Sequence, residues 1–281
     1  RCCQHNHAQG WPYFTEHLVL ATPDNGVATA IYAACKATVK VGDGKEITLH
    51  EETNYPFEEA IVFTVSTDEK VAFPFYLRIP SWTQKAEVRV NGKKVSAAPV
   101  AGKYLCINRE WANGDRVELT LPMSLSMRTW QVNKNSVSVD YGPLTLSLKI
   151  AEKYVEKDSR ETAIGDSKWQ KGADPQKWPT TEIYPDSPWN YSLVLDKKEP
   201  LKNFKVIRKS WPADNYPFTV ASVPLEVKAI GRPVPEWKID ETGLCGVLPE
   251  EDAVKGDKEE ITLIPMGAAR LRISAFPNTK E

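Results

Sequence analysis

Between Gly26 and Ile150 apolar and polar residues alternate with period two, in short runs broken by glycine, proline and Asx residues. That rhythm predicts half-buried strands joined by tight turns. In "AEVRVNGKKV" the pair Asn91-Gly92 separates two alternating runs, and both residues tolerate the positive φ that a two-residue hairpin turn demands. "ATVKVGDGKEITLHEET" repeats the pattern around Gly42-Asp43-Gly44. "EAIVFTVST" and "VAFPFYLRIP" add strands; Pro74 in the latter removes a ladder donor and predicts an edge strand or a bulge. "DRVELTLP" and "LTLSLKI" continue the series. The opening differs: Ala8, Trp11, Phe14 or Thr15, and Leu18 recur at three- to four-residue spacing, predicting a helix over 4–20 that "ATPDNG" ends. Pro12 then either lies in the first turn of a helix that begins near Trp11 or kinks a longer one.

Residues 151–190 are polar and rich in proline, glycine and aspartate, a long excursion rather than an ordinary loop. Strands return with "YSLVLD", "FKVIRKS", "FTVASVPLEVKAI" and "ITLIPMGAARLRISAFP", with Pro224, Pro233 and Pro235 expected at strand ends or edges. The predicted fold is mainly β, two antiparallel sandwiches of the jelly-roll kind that bury alternate residues between facing sheets. The chain divides into a helical segment 1–22, a first sandwich 23–125 and a second sandwich 126–257 that contains the excursion.

Composition narrows the partners. Thirty-six Lys and Arg face 37 Asp and Glu, a net charge of -1, so no overall field recruits nucleic acid or an anionic membrane. No apolar run reaches the ~18 residues of a membrane-spanning helix. The 5 cysteines comprise the vicinal Cys2-Cys3 and the separate Cys35, Cys106 and Cys245, which is not a disulfide framework. Cys35 and Cys106 lie in strand-like runs and are expected in the core as small hydrophobes. Several of the 9 tryptophans stand beside prolines or polar residues, a placement that suits either sugar stacking or anchoring in the core.

The densest chemistry is at the start, "RCCQHNH". Thiolates and imidazoles are preferred zinc donors, but this spacing is not a standard structural zinc pattern. A thiolate beside a metal or cation is also a nucleophile at neutral pH. An ordinary terminus is the third reading. Glu51-Glu52 and Glu58-Glu59 offer carboxylates for glycoside hydrolysis, yet neighbours on a strand point to opposite faces, and a solvated face is the simpler expectation. No G-x-S-x-G, Gly-rich phosphate loop or H-E-x-x-H occurs.

The string "RCCQHNHAQGWPYFTEHLVLATPDNGVATAIYA", with "EETNYPFEEAIVFTVS", "FYLRIPSW", "VNGKKV", "REWANGDRVELTLPM", "YGPLTLSL" and "ITLIPMGAARLRISAFP", resembles the C-terminal half of glycoside hydrolase family 127, the β-L-arabinofuranosidase-like proteins. The resemblance implies an N-terminal (α/α)6 barrel holding the active site, followed by two β-sandwiches; residues 1–22 would be a remnant of the last barrel helix. It implies Cys2 as the nucleophile of a retaining mechanism and both Cys2 and Cys3 as zinc ligands, the remaining ligands and the acid/base glutamate coming from the barrel. Zinc is therefore expected only in the full-length parent, none in this chain alone. Where relatives have prolines after the cysteines, this sequence has Gln4-His5-Asn6-His7, so His5 and His7 become candidates to contact sugar hydroxyls or metal. The implied partners are a plant-derived carbohydrate, the barrel of the same polypeptide and, for bracing sandwiches, a second copy in a homodimer; a glycan-degrading parent fits a periplasmic or extracellular setting. The family pattern also implies that 258–281 completes the first sandwich. The rival is a non-catalytic carbohydrate-binding module whose tryptophans, Trp178 foremost with Trp82, Trp169, Trp189 and Trp211, hold polysaccharide on an open face.

Overall fold

The computed structural model describes residues 6–158, 174, 176–177, 179–250 and 252–280, with the backbone alone at residues 7 and 280. The chain forms two compact units, 1–124 and 125–281.

In the first unit the strands are β1 (Val19–Ala21), β2 (Val27–Thr29), β3 (Cys35–Val41), β4 (Lys45–Thr53), β5 (Ala60–Ser66), β6 (Val71–Arg78), β7 (Glu87–Val90), β8 (Lys93–Lys94), β9 (Tyr104–Trp111) and β10 (Arg116–Thr120). They make two sheets, ordered β1-β2-β6-β9 and β3-β4-β5-β10-β7-β8. Ile47, Leu49, Ile61, Phe63 and Leu119 from the longer sheet and Phe73, Phe75, Leu77 and Trp111 from the shorter one share a single buried cluster. Phe63 and Phe75 meet edge to face at 5.4 Å across the interface. Trp111 stacks on Phe73 at 5.6 Å and donates its Nε1–H to the Phe73 carbonyl at 2.9 Å. The indole is thus buried with its one donor satisfied, and each such large side chain contributes about 1.5–3 kcal/mol by leaving water.

Local turn chemistry sets the register. Val90 pairs with Lys93, leaving Asn91 and Gly92 at φ 51° and 76° as a two-residue turn; Asn91 further links to Asp115 and to the Arg116 amide. Pro74 lies in β6, which pairs with β2 on one side and β9 on the other, so β6 is an interior strand and not the expected edge. The proline is tolerated because pairing with β2 starts only at Phe75, so that its missing N–H breaks no bond there. Gly26 precedes this point, and a Cβ on it would come within 2.3 Å of the Pro74 carbonyl oxygen.

The helix is shorter than its periodicity predicts. A 3-10 turn at His7–Gln9 leads into α1 (Gly10–Glu16), with Pro12 in the first turn. It stops before residue 20 because Val19–Ala21 pairs as β1 with β2, around a turn in which the Thr22 amide donates to the Gly26 carbonyl. Sheet pairing satisfies the backbone of both strands, which a continued helix would leave unpaired. Cys106 is exposed and Cys35 half-buried, not the core pair expected. In β9 it is Leu105 and Ile107 that face inward, so Cys106 between them faces out.

In the second unit the strands are β11 (Leu125–Trp130), β12 (Ser136–Tyr141), β13 (Leu144–Leu148), β14 (Glu152–Lys157), β15 (Thr180–Pro185), β16 (Tyr191–Leu195), β17 (Lys205–Arg208), β18 (Leu225–Pro233), β19 (Glu259–Pro265) and β20 (Asn278–Lys280). One sheet runs β11-β12-β13-β19-β18-β16-β20 with β17 on β18, and β14 and β15 form a separate ribbon at the two ends of the excursion. Every residue of β12 and of β16 is buried. Val137 of β12 bridges Phe276, which leads directly into β20 at the opposite end of the strand order. The sheet therefore curls on itself and encloses both faces of these strands. The segment 258–281 does not complete the first sandwich: β19 pairs with β13 and β18, and β20 with β16. β19 fills the slot between two apolar strands whose facing edges would otherwise bury unpaired backbone groups.

Candidate functional site

Cys2, Cys3, His5, Trp169 and Trp178 lie outside the described residues, and of His7 only the backbone is described. Immediately after them, α1 has no buried residue. Trp11 is 61% exposed and Tyr13 65%, and the Trp11 and Phe14 rings meet edge-on at 6.2 Å. Helix stability in proteins comes mainly from packing an apolar face, and the large side chains of this one remain exposed.

One acidic residue departs from its expected place. Glu51 is 1% exposed although it was expected on a solvated face. The Ala33 amide donates to its Oε1 at 3.0 Å, and the Cys35 thiol lies 3.8 Å from Oε2. Burial pushes this carboxyl up to about 8, against the pull of those two contacts, so it keeps its proton at neutral pH. Burial and the neighbouring glutamate push the Cys35 thiol up to about 11. The signal was in the period-two pattern: Ile47, Leu49 and Glu51 share one face of β4, and the first two are core. Its partner in the doublet, Glu52, faces the other way and is exposed, as strand geometry requires.

Toward solvent, the Asp24 carboxylate accepts hydrogen bonds from the Thr22 hydroxyl at 2.5 Å and the Tyr76 hydroxyl at 2.6 Å, which together hold it below the usual carboxylate range. With Tyr104, 49% exposed, these residues line a shallow cavity of about 550 Å³. It presents two phenol rings and an anionic acceptor, and one of the phenols, Tyr76, already donates to that acceptor.

Three of the candidate tryptophans have partners in the structure. Trp82 packs against the first unit's core. Trp189 meets Trp237 edge-on at 5.2 Å, and Trp211 donates to Asn215 at 2.7 Å. For zinc, Cys2 and Cys3 are donors of the right softness but make half of a four-coordinate set. Among the described residues no group of three or more His, Cys, Asp and Glu side chains converges to supply the rest.

Residues 26–123, from β2 through β10 and just beyond, match the family model described as β-L-arabinofuranosidase, GH127 middle domain. The chain is similar to the C-terminal part of GH127 proteins. Its GH127-like fold extends across both units. A GH127 β-L-arabinofuranosidase from Geobacillus stearothermophilus superposes with a TM-score of 0.64 at 22% identity, covering 99% of this chain and 37% of that one. A structure described as a glycoside hydrolase gives 0.65 at 22% identity over 99% of this chain and 40% of that chain. A GH127 β-arabinofuranosidase gives 0.57 at 22% identity over 92% and 36%. At this identity the likeness is one of fold, and the chain spans well under half the length of each. No curated protein sequence matches it.

Proposed function

We propose that this chain is the two-unit C-terminal part of a retaining glycoside hydrolase acting on L-arabinofuranosides or related plant glycans. The match of residues 26–123 to the GH127 middle domain carries this reading, and the cysteine pair shortly before it supplies the chemistry. Cys2 acts as the nucleophile: its thiolate attacks the anomeric carbon, the glycosidic C–O bond breaks, and the departing alkoxide takes a proton from a carboxylic acid outside this chain. Water, giving a proton back to that carboxylate, then attacks the same carbon, the C–S bond breaks to release the Cys2 thiolate, and the two displacements restore the starting configuration. His5, His7 and Trp178 contact the sugar. No step runs through zinc; a metal on Cys2 and Cys3 would need its other ligands from outside this chain. The exposed Trp11 and Tyr13 of α1 form a seam with the barrel of the same polypeptide.

A nucleophile without a positioned acid and a preorganised pocket does not turn over. The chain alone is therefore inactive, while a full-length protein hydrolyses an aryl α- or β-L-arabinofuranoside and loses at least about 100-fold in kcat on Cys2→Ser. Turnover by the isolated chain, abolished by the same substitution, would overturn the division of labour; full-length activity untouched by Cys2→Ser would overturn the nucleophile.

A further inference from the structure

In the second unit a cavity of about 360 Å³ opens between β11, the start of β12, the loop after β16, and β20. Its polar lining comes from four separate stretches of chain: Thr129, Asn135, Asp196 with Lys197, and Asn278. Asn278 is 8% exposed, and its Nδ2 donates to the Asn135 carbonyl at 2.9 Å, which fixes the amide. Its Oδ1 takes no donor among the described residues. Asp196 Oδ1 accepts the Lys198 and Glu199 amides at 2.8 Å each, and those bonds hold the carboxyl below its usual range and ionised. Its Oδ2, the Thr129 hydroxyl, the Asn135 amide and the Lys197 ammonium have no hydrogen-bond partner among the described residues. The Asn278 amide oxygen is thus held in place by its own Nδ2–H bond and left open toward the cavity, free to accept from a ligand.

We propose that this pocket is a binding site for a neutral carbohydrate of one or two sugar units. It offers an anionic and an amide acceptor, an ammonium donor, and a hydroxyl that serves as either. Hydroxyl groups on adjacent carbons, each both donor and acceptor, match that mixture. The single Asp196 carboxylate and single Lys197 ammonium balance, so a charged ligand meets a like charge beside every opposite one, and a neutral polyol does not. Met127 and Pro200, both half-buried, give the pocket an apolar side for the C–H face of a ring. The volume falls at the small end of the ~300–1,000 Å³ typical of ligand sites. The inference stands on the second unit alone and holds whether or not Cys2 is a nucleophile.

The test uses the isotopically labelled chain titrated with L-arabinose, D-xylose, D-galactose, D-glucose and their common disaccharides, and in parallel with inorganic phosphate and acetate. At least one sugar is expected to shift the Lys197, Lys198, Glu199 and Asn278 amides saturably, with a millimolar Kd, while the two anions leave them unmoved. Thr129→Val and Lys197→Ala, both at exposed positions, are each expected to weaken that binding about fivefold with the remaining spectrum unchanged. Asn278→Ala abolishes it, and because that variant removes a structural hydrogen bond the two exposed variants decide the matter. Three results would each overturn the proposal: no sugar saturating these amides up to about 100 mM, sugar affinity indifferent to both exposed variants, or phosphate binding in the sugars' place.

Discussion

Each unit buries a glutamate in its sheet, and the two behave in opposite ways. Glu51 in the first unit is 1% exposed and Glu226 in the second is 7% exposed. Burial pushes both carboxyls upward, but at Glu226 hydrogen bonds and charge from Lys149 at 2.6 Å and Lys209 at 2.5 Å outweigh it and the net shift is downward. Glu51 has an amide and a weak thiol donor, and stays protonated to about pH 8. Depth alone does not decide the charge of a buried acid; the charge of its partners does. The first unit tolerates a neutral carboxyl in its core, while the second organises a small ion cluster around an anion.

The largest expected effect is on the first unit's pH profile. An unfolded glutamate loses its proton near its ordinary value of about 4.3, whereas folded Glu51 keeps it to about 8. Between these values the folded state binds the extra proton, so stability is full below the window and falls as pH rises through it, by on the order of 5 kcal/mol. Glu51→Gln removes that slope: the first unit becomes more stable than the parent at about pH 8 and differs little at about pH 4, read by amide hydrogen exchange in β4 and β5. A wild-type profile flat across the window would break the contrast between the units.

Glu226 carries the opposite sign. Its stabilisation is present above the ordinary carboxylate range and disappears as pH falls through its lowered folded value. Glu226→Gln is expected to cost the second unit about 1–2 kcal/mol at neutral pH, since its lysines are about one-third exposed and partly screened. That cost vanishes in acid. Exchange in β18 reports it, and a cost that persists at about pH 3 would point to lost packing in place of lost charge. The smallest effect sharpens the account of Glu51: Cys35→Ala deletes the thiol at 3.8 Å and changes first-unit stability by less than about 1 kcal/mol while leaving the slope with pH intact.

What could be read from the sequence followed from how local the cause was. Asn91-Gly92 specifies its own hairpin, because positive φ at both positions is a property of those two residues. Period two marks β4, β5, β9 and β10, and applied to single residues it also separates Cys106 from Leu105 and Glu51 from Glu52. It failed where distant pairing overrode a local pattern: Leu18 fits the helical spacing, but Val19–Ala21 is claimed by β2. In the second unit β13 joins β19 across more than a hundred residues of chain, and nothing within either strand names its partner. The candidate chemistry shows the same split. Cys2-Cys3 is visible as a motif because its members are adjacent, whereas the pocket around Asn278 draws on four stretches of chain that share no spacing.

The bridge between Val137 and Phe276 and the parallel pairing of β20 with β16 have a consequence for biosynthesis. All strand pairs of the first unit lie within residues 19–120, so that unit can complete its sheets as soon as they leave the ribosome. The second unit has a high contact order, and its curl stays open until residues 273–280 have emerged. Until then β12 and β16 present apolar surface that a chaperone would have to cover. Vectorial synthesis thus completes the first unit before the second, and residues 273–280 act as the latch.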